Sequence, residues 1–598
     1  MYFRTKLIKG TPLVQLVESY RNTEGLPRQR VLASLGDAQV PEGEKHRIAH
    51  GVEEHLQGTQ GLFDSNLSQE AAAWVARIVQ LLGRSKSAKP LAEATVDGVI
   101  LDQLETCDGA QIGPQLVALQ AWKDLGFTPM LEEMGINASQ IATAQLMVAN
   151  RLIQPLSEWA LIDWAQRTAL PEILGVRLTK TSKDRLYHTS DALLVHRKSI
   201  EEKLRTREAD LFSLSRSVVL YDVTNTHFEG LCKKNPKARH GKNKQKRNDC
   251  RQVAVGMAFD EHGLPLAHEV FEGNIADTKT LEVVLDRLEV PDGGLKPVVI
   301  LDAGFASKTN IAMLKERGYS YLVNITRGSR AKYAEVFEKE IFEELPGRAN
   351  EQRVEVRKIA DPQDPGSHLV LCRSAQRRLK EEAMVSKAEE RFLDGVKNFR
   401  GRIESGRLKK TEVIERKIGA LQKKHPRLAR LYTLGYREGK FTAVRHEEKM
   451  RDALSLCGDY VLKTDKTLEA PQLWSLYMTL LKAEEGFCML KGSLGLRPNY
   501  HQLEGRVDGH IFITVLAYHL LSWVRRKLEP LGDMRDWITV RGILNTHSLT
   551  TTSLPLADGR LIQVRKVGVP DAEQALIYKN LGIDWKNAFP ARKTIMKA

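Results

Sequence analysis

Two short runs decide how this chain reads: Val218-Val-Leu-Tyr-Asp222 and Pro297-Val-Val-Ile-Leu-Asp302. Both are apolar, rich in β-branched residues and closed by an acid. Such side chains suit a pleated, half-buried surface, so both runs read as strands. An aspartate at the end of such a run meets a sheet edge rather than open solvent. If the two strands are neighbours their carboxylates converge, and like charges that close repel unless a cation lies between them. Oxygen-only ligands suit Mg²⁺, or Mn²⁺ in its place. One aspartate after a strand is ordinarily a cap or turn; two, in the right strand order, point to a site.

The order comes from the residues between and beyond. Val253–Phe259 and Leu264–Phe271 read as strands about the turn Asp260-Glu-His-Gly263. Thr278–Leu288 and Thr309–Arg317 have helical spacing, Gly318 closes the second, and Tyr321–Ile325 is a fifth strand. The sequence β-β-β-α-β-α-β is that of an RNase H-like fold, expected over residues 216–329. The rest is organised around it. Residues 1–110 hold a small β unit, with strands Leu13–Tyr20 and Arg28–Leu35 about the turn Asn22–Gly25, followed by helices over 42–85. Residues 111–215 read as amphipathic helices with Trp122, Leu125, Leu131, Leu146 and Trp159 in the core, a bundle that has room for a DNA-reading helix-turn-helix. Residues 330–470 read as a mixed α/β insertion, with strands Arg353–Ile359, His368–Cys372 and Asp459–Thr464 and a basic helical stretch Ala375–Lys424. Residues 471–530 return to the core, and 531–598 form a C-terminal segment with a hairpin about Asp558-Gly559.

At 598 residues the chain is too long for one compact domain. Its formal charge of +15 favours a polyanionic partner. The six cysteines form no C-x-x-C pair and no zinc spacing, which fits scattered reduced thiols and a cytoplasmic protein. The opening Met1–Lys6 has no signal-peptide core, and the most apolar run, Ile511–Trp523, is too short for a membrane span and reads as a buried helix.

A third acid lies in Tyr477-Met-Thr-Leu-Leu-Lys-Ala-Glu484-Glu-Gly-Phe-Cys-Met-Leu-Lys491. Wound as one helix at ~100° per residue, it gathers Tyr477, Leu480, Glu484 and Lys491 within about 60°. Leu480, Leu481, Phe487 and Leu490 make it a helix that packs rather than a free polar one.

The spacing Tyr-x2-Leu-x3-Glu-x6-Lys resembles the Tyr-Arg-Glu-Lys signature of DDE-type transposases of bacterial insertion sequences. Tyr221–Gly230, Gly273–Thr280, Leu301–Phe305, Arg497–His501 and Arg506–His510 resemble that family's accompanying motifs. The resemblance implies an RNase H-like catalytic domain interrupted by an insertion before the glutamate helix. It implies Asp222, Asp302 and Glu484 as a catalytic triad holding two Mg²⁺ (or Mn²⁺) ions, with Tyr477 and Lys491 on DNA phosphates. Glu485 competes with Glu484; the spacing to Tyr477 and Lys491 favours Glu484. The signature arginine is Leu480 here, so its phosphate contact is lost or supplied elsewhere, with Arg497 and Arg506 as candidates.

The resemblance further implies double-stranded DNA, both terminal inverted repeats and target, as partner, a dimer in the DNA-bound complex, and work at the nucleoid. The segment Lys233–Arg251, with Lys242, Lys244, Arg247 and Arg251, reads as a phosphate-neutralising loop. Asn225, His227 and Asp277 are candidate supports, while His501 and His510 read as packing or DNA contacts rather than zinc ligands. The function expected is cutting of transposon ends and joining to target. The alternatives are an RNase H-like nuclease without strand transfer and a non-catalytic DNA-binding descendant.

Overall fold

The computed structural model describes residues 1–8, 11–21, 27–36, 38, 40–57, 67–85, 95–178, 182–241, 247–288, 296–326, 328–345 and 353–597. The turn expected at 22–25 and the lysines Lys242 and Lys244 lie outside them. The chain divides into two units, Met1–Glu105 with Thr552–Gln563 and Lys593–Ala598, and Thr106–Thr551 with Val564–Arg592.

In the first unit, strands Thr11–Arg21 and Pro27–Ser34 form the expected hairpin, and Tyr2–Ile8 adds an antiparallel strand that the sequence reading missed. Leu16 and Val17 are both buried although neighbours in a strand face opposite ways; a register shift between them accounts for it. Helices Lys45–Gln57 and Gln69–Ser85 contribute Ile48, Val52, Ala71 and Ile78 to the same core as Leu16.

In the second unit, a nine-stranded sheet carries β1 (Val218–His227), β2 (Gln252–Phe259), β3 (Pro265–Glu272), β4 (Val298–Leu301), β5 (Ser320–Asn324), β6 (Glu343–Leu345), β7 (Val354–Ala360), β8 (His368–Ser374) and β9 (Asp459–Thr464). Across the sheet the order is β6-β7-β8-β9-β5-β4-β1-β2-β3. β4 is parallel to β1 and β5, β2 and β3 run antiparallel beyond β1, and β9 joins β5 antiparallel. The first five strands and two helices follow the expected order, with the first helix shortened to Leu281–Leu285. The sheet does not stop near residue 330 as the expected boundary has it: the insertion's strands extend it. The insertion's helices and the hairpin Tyr432–Arg437/Lys440–Arg445 build a separate core, about Phe392, Phe399, Ile414 and Phe441, and Phe337 packs on Leu369, Leu371 and Val461 in a smaller one.

Both faces of the sheet are covered, which is why every position of β2 is buried. On one face Val219, Tyr221, Val299 and Leu301 meet Leu281, Leu285 and Leu314. On the other, Leu220, Met257, Ile300 and Leu322 belong to the core built with the helices of 113–212 and with helices Leu480–Lys491 and Glu504–Leu528. The insertion's long helix is α1 (Ala375–Glu404); α2 (Ala470–Met478), α3 (Leu480–Lys491) and α4 (Glu504–Leu528) follow. Every residue of α4 from Ile511 to Val524 is buried because this helix runs through that core. It is the one described helix long and apolar enough to cross a membrane, and 94% of its apolar window is buried.

Two expectations are corrected. Trp159 is 65% exposed, since its helix Glu158–Ala165 buries Leu161, Trp164 and Ala165 instead, and Lys183 Nζ stands 3.4 Å over its ring. The stretch 477–491 is not one helix: it breaks at Thr479, whose hydroxyl turns back to the Leu476 carbonyl at 2.6 Å.

Candidate active site

β1 and β4 pair in parallel, Val218 opposite Val298 and Tyr221 opposite Leu301. β4 ends at Leu301, while β1 runs on to His227 against β2. Asp222 is therefore mid-strand rather than at a strand end, but it sits where its parallel neighbour stops. Continuing the register one step sets Asp302 opposite Asp222, on strands spaced ~4.8 Å apart. Side chains alternate along a strand, so Asp222 shares a face with Leu220, and Asp302 with Ile300. That is the face on which α3 packs. Asn324, two residues beyond Leu322 on β5, occupies the same face.

α3 seats itself by small and apolar residues: Ala483, Gly486, Phe487 and Leu490 are buried. Phe487 stacks edge-on to Phe259 with ring centroids 5.4 Å apart, and Phe259 is the register partner of Leu220, two residues from Asp222. Glu484 follows Ala483 at the margin of this buried stripe and is exposed. Glu485 turns away: Lys482 Nζ lies 3.3 Å and Arg525 Nη2 3.4 Å from its carboxylate. Glu484 makes no such ion pair among the described residues.

Tyr477 on α2 sits beside Asp302. Burial, then the Asp302 carboxylate, push its phenol well above the ordinary tyrosine range, against a hydrogen bond with Asn324. Leu480, in the place of the signature arginine, packs on the main core. Lys491 ends α3 with its ammonium 5.3 Å from the Phe487 ring centroid. Asp277 approaches from the opposite side: its Oδ2 lies 3.7 Å from where a Cβ on Gly304 would be, against the turn after Asp302. Asn225 and His227 fall on the β1 face opposite Asp222.

The basic segment is partly committed to the protein. Lys237 bonds Asp508 at 2.7 Å and Glu504 at 3.0 Å, on the first turns of α4. Arg247 pairs with Asp249 at 3.0 Å and Glu229 at 3.6 Å, and Arg251 reaches the Ala238 carbonyl at 3.4 Å. Arg497 lies near His227 with a buried Nη1 that has no hydrogen-bond partner. Arg506 bonds the Tyr187 carbonyl at 2.9 Å and Asp191 at 2.6 Å, with its guanidinium over the Tyr187 ring. His501 and His510 cluster with Glu158, His501 Nε2 standing 3.3 Å from its carboxylate, while Arg151 Nη2 lies 3.3 Å from His510 Nδ1. A guanidinium on that imidazole disfavours a metal there.

One group of residues escaped the sequence reading. Beside the expected Asp302, the residues Asn324, Arg377, Lys380 and Glu381 line a cavity of about 580 Å³, the last three from the first turns of α1. The only sequence signal was the N-cap serine Ser374 preceding a basic helix.

Two neighbouring parallel strands thus lead to Asp222 and Asp302, and the helix that carries Glu484 packs on the same core. Residues 213–520 match the family described as Transposase DDE domain, just over half of the chain, and the chain belongs to that family. Residues 4–60 match the IS1634 family transposase, N-terminal domain, which marks the DDE transposases of insertion sequences. Membership implies an RNase H-like fold, DNA as partner and dependence on a divalent metal. No curated protein matches the chain.

Proposed function

We propose that this chain cleaves transposon-end DNA and joins the freed 3′-OH ends to target DNA, with Asp222, Asp302 and Glu484 as metal ligands. The observation that supports the reading is the parallel pairing of Tyr221 with Leu301, the residues just before Asp222 and Asp302, on a sheet whose core includes α3. The donor set is all carboxylate oxygen, which fits two Mg²⁺ or Mn²⁺ ions. When bound, such ions supply an activated nucleophile and stabilise the leaving oxygen of an in-line displacement. In the cut, a water oxygen bonds to phosphorus, the bond from phosphorus to the 3′ oxygen breaks, and that oxygen leaves as a hydroxyl. In joining, the same hydroxyl attacks a target phosphorus and displaces its bridging oxygen. The chain's own part is positional. β1 and β4 hold their aspartates on paired backbones, and Ala483, Phe487 and Leu490 anchor the glutamate helix. Tyr477 stays a neutral phenol beside Asp302, hydrogen-bonded to the Asn324 amide.

The full chain with terminal-repeat duplex, target DNA and Mg²⁺ tests this by sequencing of products. Joined products are expected. Cut but unjoined DNA identifies a nuclease, and intact bound DNA a non-catalytic binder. Asp222→Ala should lose cutting and joining while binding ends as before; retained cutting overturns the triad.

A further inference from the structure

The cavity beside Asp302 is walled by the first turns of α1, a helix of the insertion. Lys380 is exposed and has no hydrogen bond or ion pair among the described residues. Arg377 is held in place: its Nε donates to Glu381 at 3.1 Å and its guanidinium lies 4.5 Å over the Tyr460 ring. Tyr460 is in turn fixed by Trp474, whose Nε1 donates to its hydroxyl at 2.7 Å. A guanidinium has five N–H donors, and this arrangement uses one, leaving both terminal nitrogens for a ligand. Glu381 also accepts from Arg330 at 3.2 Å and from the Gly458 backbone at 3.3 Å, so its charge is already matched within the protein. Asn324 is 7% exposed, and its amide oxygen is buried without a partner on the cavity wall. Its amide bonds the Tyr477 hydroxyl, a group that can give or accept, so turning the amide over keeps that bond, with Tyr477 donating to the amide oxygen, and presents N–H to an anion.

We propose that Arg377, Lys380 and the Asn324 amide form a pocket for a DNA backbone phosphate beside the cut, taking the contact that Leu480 cannot make. This rests on the DNA-processing reading of Asp302. A phosphate there would meet a bidentate guanidinium, an ammonium and an amide, which is the mixture that favours phosphodiester oxygens. It would also tie the insertion directly to the reacting strand.

Lys380→Ala, on an exposed and unpaired side chain, is the clean variant; Arg377→Gln is the second. Binding of terminal-repeat duplex is measured against salt concentration, using duplexes that carry one neutral methylphosphonate at successive positions. Each variant should lower the slope of log affinity against log salt by about one. At one phosphate next to the cut, the methylphosphonate should weaken the wild type and leave the variant unaffected. Variants that keep the full slope, and the wild-type penalty at every position, overturn the pocket. A wild-type chain that binds DNA without cutting it overturns the function proposed above and leaves this binding test intact.

Discussion

Gly486→Ala tests whether the seat of the glutamate helix is as tight as the packing implies. A Cβ at Gly486 would stand 2.9 Å from Phe259 Cε1 and 2.9 Å from Tyr518 Oη. Comfortable carbon contacts are ~3.5–4.0 Å, so α3 must back off by roughly 0.6–1 Å. Neither neighbour can yield easily. Phe259 is fully buried between Phe487 and Tyr518, and the Tyr518 hydroxyl donates to the Gly263 carbonyl at 2.8 Å. Overpacking of this kind costs about 1–3 kcal/mol. Glu484 lies two residues away on the same short helix, and a misplacement of ~1 Å at a reacting site costs ~100-fold in rate. Gly505→Ala, in α4, is the control: its Cβ would meet nothing within 4 Å, so it should stabilise by roughly 0.4–1 kcal/mol. Denaturant titration and single-turnover cleavage are the assays. Wild-type stability together with wild-type cleavage in Gly486→Ala would refute the argument that this glycine sets the distance from α3 to β1.

Glu484→Gln should abolish metal-dependent cleavage, whereas Glu485→Gln, which only loosens exposed pairs with Lys482 and Arg525, should cleave at close to the wild-type rate and cost at most ~1 kcal/mol in denaturation; equal losses in both would reject the assignment. Burial holds the Asp260 carboxyl up to about 7 from an ordinary 3.8, against bonds from the His262 and Leu264 amides. Between those values the folded state binds the extra proton, so stability falls as pH rises from about 4 to 7; Asp260→Asn should flatten that slope in pH-resolved melting, and an unchanged slope would count against it. Glu201, with its side chain 3% exposed, joins Arg287 at 2.7 Å and the His268 backbone amide at 3.2 Å. Glu201→Ala leaves Arg287 with Glu269 alone, at 2.9 Å, and takes the acceptor from the buried His268 amide, so it should cost about 1–3 kcal/mol in denaturation, and a loss under about 0.5 kcal/mol would show the network to be dispensable.

The aspartates and the strand order around them were legible because buried strands leave continuous apolar runs, and each run here carries its acid in view. Burial on both faces makes β2 unmistakable. What periodicity could not show is pairing at a distance: β8 and β9 are partners, yet α1, three further helices and a hairpin separate them in the chain. The sheet's extension into the insertion was hidden for that reason. Helical phase named Glu484 over Glu485, and the structure gives Glu485 its own partners; the same phase assumed one helix where Thr479 breaks two. Trp159 failed because a large aromatic ring was read as core when its helix turns the other face inward. Arg377 and Asn324 carry no local signal, since their significance comes from lying against Asp302 across separate strands and a helix.

Because β8 is hydrogen-bonded through β9 and β5 to β4, the first turn of α1 is fastened to the strand that leads into Asp302. Backbone ladders, not a hinge, set that interval. The sheet then works as a gauge: whatever the insertion grips is offset from the aspartates by a fixed count of strands. On the proposed reading, a change of register anywhere between β8 and β4 would shift where the nucleic acid is cut relative to where the insertion holds it.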